Sequence, residues 1–138
     1  MSHPYVPELK WLIYVTIFTA LMWVPYILNR LVTRGLWLSL SNAAAETGET
    51  PTIWARRALR AHANAVENLI IFVPAVLVVS ILGISTPTTQ YAAMVYFYAR
   101  IVHYFVYILG IPVVRTLAFA VAWAAQITIL LSILKSMS

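Results

Sequence analysis

Charged and amide side chains recur at helical spacing in one stretch of the sequence. Arg56, Arg60, Asn64 and Glu67 stand at positions i, i+4, i+8 and i+11, a spacing that places them on one face of a helix. Guanidinium groups bind carboxylates through paired hydrogen bonds, and a carboxylate accepts hydrogen bonds from an amine. This face is therefore suited to a small, polar, anionic ligand.

A second stretch repeats the pattern with Arg100, His103 and Tyr107 at positions i, i+3 and i+7. Seven residues separate Arg60 from Glu67 and seven separate Arg100 from Tyr107, about 10 Å of helical rise in each case. If the two helices are antiparallel, Glu67 and Arg100 reach a similar depth. The spacing therefore predicts a structural ion pair between them, since a buried charge needs a partner.

The shallower polar residues form a cationic, hydrogen-bonding patch, and an arginine at the start of a later apolar segment joins it. The members of this predicted patch are Arg60, Asn64, His103, Tyr107 and Arg115. Next to long aliphatic segments, such a patch would bring a charged cosubstrate to a substrate dissolved in the membrane.

The composition shows what kind of element must carry these residues. The chain has 138 residues, of which 62% are hydrophobic and 9% charged, against about 45–50% and about 25% in soluble domains. This balance excludes an ordinary soluble domain and a disordered chain, and it indicates an integral membrane protein. The absence of cysteine excludes disulfides, thiolate metal sites and a cysteine nucleophile. The net charge of +5 indicates basic residues at membrane edges rather than nucleic-acid binding.

Four apolar segments predict an all-α protein with four transmembrane helices in a single domain covering residues 1–138. The predicted spans are about 11–30, 61–84, 90–109 and 114–134. The first contains 19 consecutive uncharged residues, longer than the apolar stretch of about 7–15 residues in a signal peptide.

The cations predict the orientation of the spans. Arginines cluster at one end of the predicted bundle, namely Arg30, Arg34, Arg56, Arg57, Arg60 and Arg115, whereas the other end holds Lys10 and Lys135. The positive-inside rule places the arginines in the cytoplasm. The loop between the first two spans is then cytoplasmic, and both termini lie on the opposite side.

Two stretches resemble the MAPEG family, the membrane-associated proteins in eicosanoid and glutathione metabolism. They are RALRAHANAVENLIIFVPA, residues 57–75, and ARIVHYFVYILGIPVVRTLAF, residues 99–119. The resemblance implies a left-handed four-helix bundle assembled as a homotrimer, with glutathione bound between neighbouring subunits. It also implies contacts with membrane lipids and a lipophilic substrate, and no metal.

The resemblance also implies roles for individual residues. Arg115 matches the arginine held to stabilise the glutathione thiolate. The glutathione-binding positions correspond to Arg34, Arg60, Asn64, Glu67, His103, Tyr107 and Thr116. Asn42 would support Arg34, and Arg30 is the rival to Arg34. The implied activity is that of a glutathione-dependent transferase or peroxidase acting on lipophilic electrophiles.

Two departures from the family pattern keep a second hypothesis open. Ala63 and Phe119 stand where prostaglandin-synthase-like members have an arginine and a tyrosine. Both substitutions favour a non-catalytic MAPEG-like protein that binds lipid or acts as a scaffold. A small multidrug transporter is a third reading, but such proteins need an acidic residue within the first span, and this one has none.

Overall fold

A computed structural model describes residues 5–41 and 52–138, and within these ranges all regular structure is helical. The helices, in chain order, are α1 (Pro7–Leu21), α2 (Val24–Arg34), α3 (Leu36–Leu40), α4 (Ile53–Leu82), α5 (Pro87–Leu109) and α6 (Pro112–Met137). Asn42 lies outside the described residues.

Four apolar segments are long enough to cross a membrane: Pro7–Arg34, Ile53–Leu82, Pro87–Leu109 and Pro112–Met137. They confirm the predicted number of spans and support an integral, multi-pass membrane protein. Each segment begins before its predicted start, because charges delimit the apolar stretch but do not stop a helix, whereas the second ends at Leu82, two residues before its predicted end, and the third ends at Leu109 as predicted. The largest difference is in α4, which begins at Ile53 rather than near residue 61.

The first span consists of two helices rather than one. The last turn of α1 tightens where the Met22 amide donates to the Thr19 carbonyl at 3.2 Å, and α2 begins at Val24 with Pro25 in its first turn. Proline has no amide hydrogen to donate, so it fits the first turn of a helix and interrupts a longer one.

Short turns connect the last three spans. Gly83 ends α4 and Gly110 ends α5, both in the left-handed conformation, which glycine adopts without the steric penalty of a Cβ atom. Thr86 begins α5 with a reciprocal cap, since its hydroxyl accepts from the Thr89 amide at 3.2 Å while its own amide donates to the Thr89 hydroxyl at 2.9 Å. These turns make α5 antiparallel to both α4 and α6.

The bundle core combines an aromatic stack with small side chains. Phe72 of α4 and Tyr96 of α5 stack with ring centroids 3.8 Å apart, and both side chains are fully buried. Towards its start, α4 buries alanines instead, namely Ala55, Ala58, Ala61 and Ala65. Small residues let membrane helices approach closely, so the first half of α4 lies close to its neighbours.

The two ends of the bundle differ in charge. We call the end that holds Arg30, Arg34, Arg56, Arg57, Arg60 and Arg115 the arginine end, and the end that holds Glu8, Lys10 and Lys135 the lysine end. At the lysine end the Glu8 side chain is 0% exposed. Its carboxylate accepts from the Ser85 hydroxyl at 2.9 Å and from the Thr89 hydroxyl. Glu8 therefore connects the start of α1 to the turn between α4 and α5.

Candidate functional site

The polar faces of α4 and α5 meet at Asn64 and Arg100. Arg100 Nη2 donates to Asn64 Oδ1 at 3.0 Å, and the arginine is 2% exposed. Its Nε and Nη1 atoms are buried without a hydrogen-bond partner among the described residues. Asn64 thus provides the one acceptor that holds this cation in the described part of the protomer.

The predicted ion pair between Glu67 and Arg100 is not formed within the protomer. Glu67 is exposed, whereas Asn64 and Asn68 are turned towards the interior. Glu67 follows Asn64 by three residues, a rotation of about 300° around the helix axis, so its side chain points about 60° away from the contact with α5. Arg100 therefore pairs with Asn64, and Glu67 does not face it.

The rings of His103, Tyr107 and Phe119 lie next to one another where α5 meets α6. The ring centroid of His103 lies 5.5 Å from that of Tyr107 and 6.2 Å from that of Phe119. Arg115 Cζ lies 4.7 Å from the Tyr107 centroid, within the range of a cation–π interaction. His103 is 2% exposed, and its Nδ1 has no hydrogen-bond partner in the described chain. The structure thus brings His103, Tyr107 and Arg115 together, as the sequence predicted.

Arg56, Arg60 and Glu67 lie exposed on the outward face of α4. The two arginines, with Ile53 and Arg57, line a hollow of about 300 Å³ at the arginine end. Glu67 lies 15 residues before the end of α4 at Leu82, about 22 Å away, which is within a hydrocarbon core of about 30 Å.

An ionised Glu67 facing lipid at that depth would be unfavourable, by about 3 kcal/mol on the mildest scale for a mid-membrane carboxylate. Such a carboxylate needs a polar environment from another protein surface or from a ligand. The outward face of α4 therefore needs a polar partner at Glu67.

The remaining predicted positions lie around this centre. Thr116 is exposed, and its hydroxyl donates to the Pro112 carbonyl at 3.0 Å within its own helix. Arg34 lies half-buried in the last turn of α2. Arg30, one turn earlier, accepts a hydrogen bond on its carbonyl from the Ser39 hydroxyl at 3.1 Å. Arg30 and Arg34 thus both lie at the arginine end, on the first span.

Two contacts of this region were not predicted from the sequence. The Tyr26 hydroxyl is hydrogen-bonded to His62 Nδ1 at 3.0 Å, which joins α2 to α4. Arg57 Nη1 donates to the Ile108 carbonyl at 3.5 Å, and its guanidinium occupies the space that a side chain at Gly110 would need. No local sequence signal predicts the second contact, because Arg57 and Gly110 are 53 residues apart, although cations favour helix C-termini in general.

The arginine end and the outward face of α4 together present cationic and anionic side chains. Arg60 and Arg115 offer guanidinium groups, and Glu67 offers a carboxylate. Among residues 5–41 and 52–138, no group of three acidic, histidine or cysteine side chains could hold a metal ion.

Comparison with known proteins gives one match. The model of the MAPEG family matches residues 11–135, nearly the whole chain, and includes every residue of the site described above. No curated protein and no solved structure gives a significant match.

Proposed function

This chain belongs to the MAPEG family, and on that premise we propose that it is a membrane-bound, glutathione-dependent transferase or peroxidase acting on lipophilic electrophiles. Family membership supports a membrane role related to glutathione or eicosanoids. The observation that carries the finer proposal is the placement of Arg115 over the ring of Tyr107. A guanidinium held in this way is positioned to act on a ligand at the arginine end.

The binding step follows from the charges. Arg60 binds a carboxylate of glutathione and Glu67 accepts hydrogen bonds from its ammonium group, since charge-assisted hydrogen bonds are the strongest ones available to such groups. Asn64 accepts from Arg100 through its oxygen, so its amide nitrogen remains to donate to the peptide. The further contacts that we propose are those of Arg34, His103, Tyr107 and Thr116.

The chemical step needs a deprotonated sulfur. A free thiol has a pKa of about 8.5, and lowering it by about two units requires about 2.7 kcal/mol of preference for the anion. A guanidinium about 4 Å from the sulfur supplies up to about 4 kcal/mol at an effective dielectric constant of about 20, before desolvation is subtracted. Arg115 alone is therefore sufficient to hold the thiolate, and no protein nucleophile is required.

Two reactions are open to a bound thiolate. In conjugation, a sulfur lone pair forms a bond to the electrophilic carbon, the leaving group departs with its electron pair, and the thiol proton passes to water. In hydroperoxide reduction, two glutathione molecules are oxidised to the disulfide, while the oxygen–oxygen bond breaks to give an alcohol and water. In both reactions a cleft that holds both reactants replaces a bimolecular encounter by a local one.

The exposed carboxylate of Glu67 supports an assembly in which subunits cover one another. We propose a left-handed bundle that forms a homotrimer with glutathione between subunits and that contacts membrane lipids. Sedimentation of the detergent-solubilised protein tests this assembly, and a monomer that still binds glutathione would contradict it.

The proposed orientation places the arginine end in the cytoplasm. The sequence contains no cysteine, so single cysteines introduced at Ile53 and at Lys135 report the two ends without interference. In intact cells, a membrane-impermeant maleimide should label Lys135→Cys and not Ile53→Cys. The reverse pattern would overturn the orientation.

A second candidate function is a non-catalytic MAPEG protein that binds lipid or acts as a scaffold. It is favoured by Phe119, whose ring lies against His103, and by Ala63, which is exposed on the face that also carries Arg60 and Glu67. Neither side chain offers a hydrogen bond to a peptide.

Turnover with glutathione and chlorodinitrobenzene separates the two functions. The enzyme hypothesis expects turnover by purified, trimeric protein, together with calorimetric binding of glutathione. Binding without turnover would favour the scaffold, and the absence of both would remove glutathione from the proposal.

A further inference from the structure

An apolar groove runs along the outside of the bundle between α5 and α6, in the half nearer the lysine end. Its volume is about 570 Å³. Alanines Ala92, Ala124 and Ala125 line it together with the larger side chains of Tyr91 and Val121. Because small side chains next to large ones leave a concave surface, the groove is suited to an elongated apolar chain.

A polar hollow of about 460 Å³ continues the groove towards the lysine end. Thr88 lines both, so the two form one surface. The hollow is otherwise lined by Thr86, Ser132, Lys135 and Ser136. The combined surface is therefore amphipathic along its length, with hydroxyl groups and an ammonium at one end and hydrocarbon at the other.

The charge at the polar end is not neutralised within the described chain. No described carboxylate lies within ion-pair distance of the Lys135 ammonium. Glu8, the acidic residue of this end, is fully buried and its oxygens are occupied by Ser85 and Thr89. Lys10, the other cation of this end, lies over the rings of Trp11 and Tyr14. Lys135 is thus the cation of the lysine end that is available to an anion in the hollow.

The dimensions match a lipid of one leaflet. Lys135 and Val121 are 14 residues apart on α6, about 21 Å along the axis. Half of a hydrocarbon core is about 15 Å, so an acyl chain whose headgroup lies at Lys135 can follow most of this length.

We propose that this surface binds an acidic phospholipid, with its phosphate at Lys135 and one acyl chain in the groove between α5 and α6. The site lies at the opposite end of the bundle from the glutathione site, and it does not depend on the proposed enzymatic function. The preference for an acidic lipid comes from Lys135, and the affinity for the chain comes from the apolar groove.

Native mass spectrometry of the delipidated protein, titrated with phosphatidylglycerol and phosphatidylcholine of identical acyl chains, tests the proposal. Wild-type protein should bind phosphatidylglycerol about fivefold more tightly, which corresponds to about 1 kcal/mol for one lysine near an anionic lipid. Lys135→Gln should bring the ratio of the two affinities to about one. Lys10→Gln is the matched control and should keep the preference for phosphatidylglycerol.

The groove is tested separately by Ala124→Phe, which fills it from an exposed position. This variant should lower the affinity for both lipids several-fold and leave the ratio of the two affinities unchanged. Equal binding of both lipids by the wild type, or the same loss in Lys10→Gln as in Lys135→Gln, would overturn the proposal.

Two further outcomes would also overturn the proposal, because each would show a different occupant of the surface. Displacement of phosphatidylglycerol by glycerol phosphate would show a site for a free phosphate. A changed subunit number in Ala124→Phe would show that a second copy of the chain occupies the groove.

Discussion

The lysine end of this bundle and the middle of α4 each hold an acidic residue, and the two carboxylates lie in opposite environments. At the lysine end, Glu8 is 0% exposed and its carboxylate accepts hydrogen bonds from Ser85 and Thr89. In the middle of α4, Glu67 is exposed and has no hydrogen bond or ion pair with another described residue. The first carboxylate joins elements of the fold, and the second is available to a ligand or to another subunit.

The arginines show the same division. Arg57 lies on the last turn of α5 and on Gly110, and Arg100 is buried against Asn64. Arg60 is exposed, and Arg115 lies half-buried over Tyr107. Hydrogen bonds inside the chain thus distinguish the cations that join helices from those whose side chains have no hydrogen bond to another described residue.

Replacement of Arg115 by alanine should give the largest effect. Removal of a charged donor from a developing or bound anion typically lowers kcat by about 100-fold or more. We expect this loss in turnover with glutathione, together with loss of the thiolate absorbance on mixing. Lys10→Ala, at the other end, should leave both unchanged. A thiolate signal of wild-type size in Arg115→Ala would show that another group stabilises the sulfur.

Replacement of Glu8 by alanine should affect stability and not chemistry. The Ser85 hydroxyl would lose its acceptor, whereas the Thr89 hydroxyl still has the Thr86 carbonyl at 2.9 Å; a buried group left unsatisfied costs about 1–3 kcal/mol. Denaturation in detergent should show the lower free energy of unfolding, while the affinity for glutathione of the folded fraction stays the same. A lower affinity for glutathione at unchanged stability would contradict this division between Glu8 and Glu67.

The complementary change, Glu67→Gln, should affect affinity and not stability. Loss of a charge-assisted hydrogen bond of about 1.5 kcal/mol raises the Kd for glutathione about tenfold. Calorimetry measures this rise, and Glu8→Gln is the matched control in which the affinity should not change. Unfolding of Glu67→Gln at much lower detergent than the wild type would show that Glu67 is structural.

The smallest expected difference in stability is between variants of the two glycines that end α4 and α5. Gly110 and Gly83 both adopt the left-handed conformation, but only Gly110 has a guanidinium where a Cβ would lie. Gly83→Ala should lower the free energy of unfolding by about 1 kcal/mol from backbone strain alone. Gly110→Ala should lower the free energy of unfolding slightly more, because the flexible end of Arg57 must also shift, and equal losses in thermal unfolding would show that the Arg57 contact adds nothing.

The number and placement of the spans could be predicted because lipid imposes a simple constraint. A segment of about 20 apolar residues must be helical to satisfy its backbone in the membrane, and charges mark where such a segment leaves the hydrocarbon. The predicted spans near residues 90–109 and 114–134 are within three residues of α5 and α6. The first span was less predictable, because Pro25 divides it into α1 and α2.

Side-chain pairing was predictable only in part. Helical spacing grouped His103 with Tyr107, and the structure shows their rings in contact. The same reasoning predicted an ion pair between Glu67 and Arg100, but Arg100 instead donates a hydrogen bond to Asn64. Spacing gives depth and an approximate face, but a rotation of about 60° decides which of two neighbours on that face reaches the partner helix.

The amino-acid sequence by itself determined that the chain is a membrane protein of four spans, that its arginines gather at one end, and that it resembles the MAPEG family. These follow from composition, from the order of charges and from local motifs, all of which are read along the chain. Only the tertiary structure decided that Glu8 is enclosed by hydroxyl groups, that Arg57 belongs to the end of α5, and that a groove leads from Lys135 along α6. The physical reason is that hydrogen bonds between residues as distant as Glu8 and Thr89 depend on how whole helices rotate and pack, which no local pattern records.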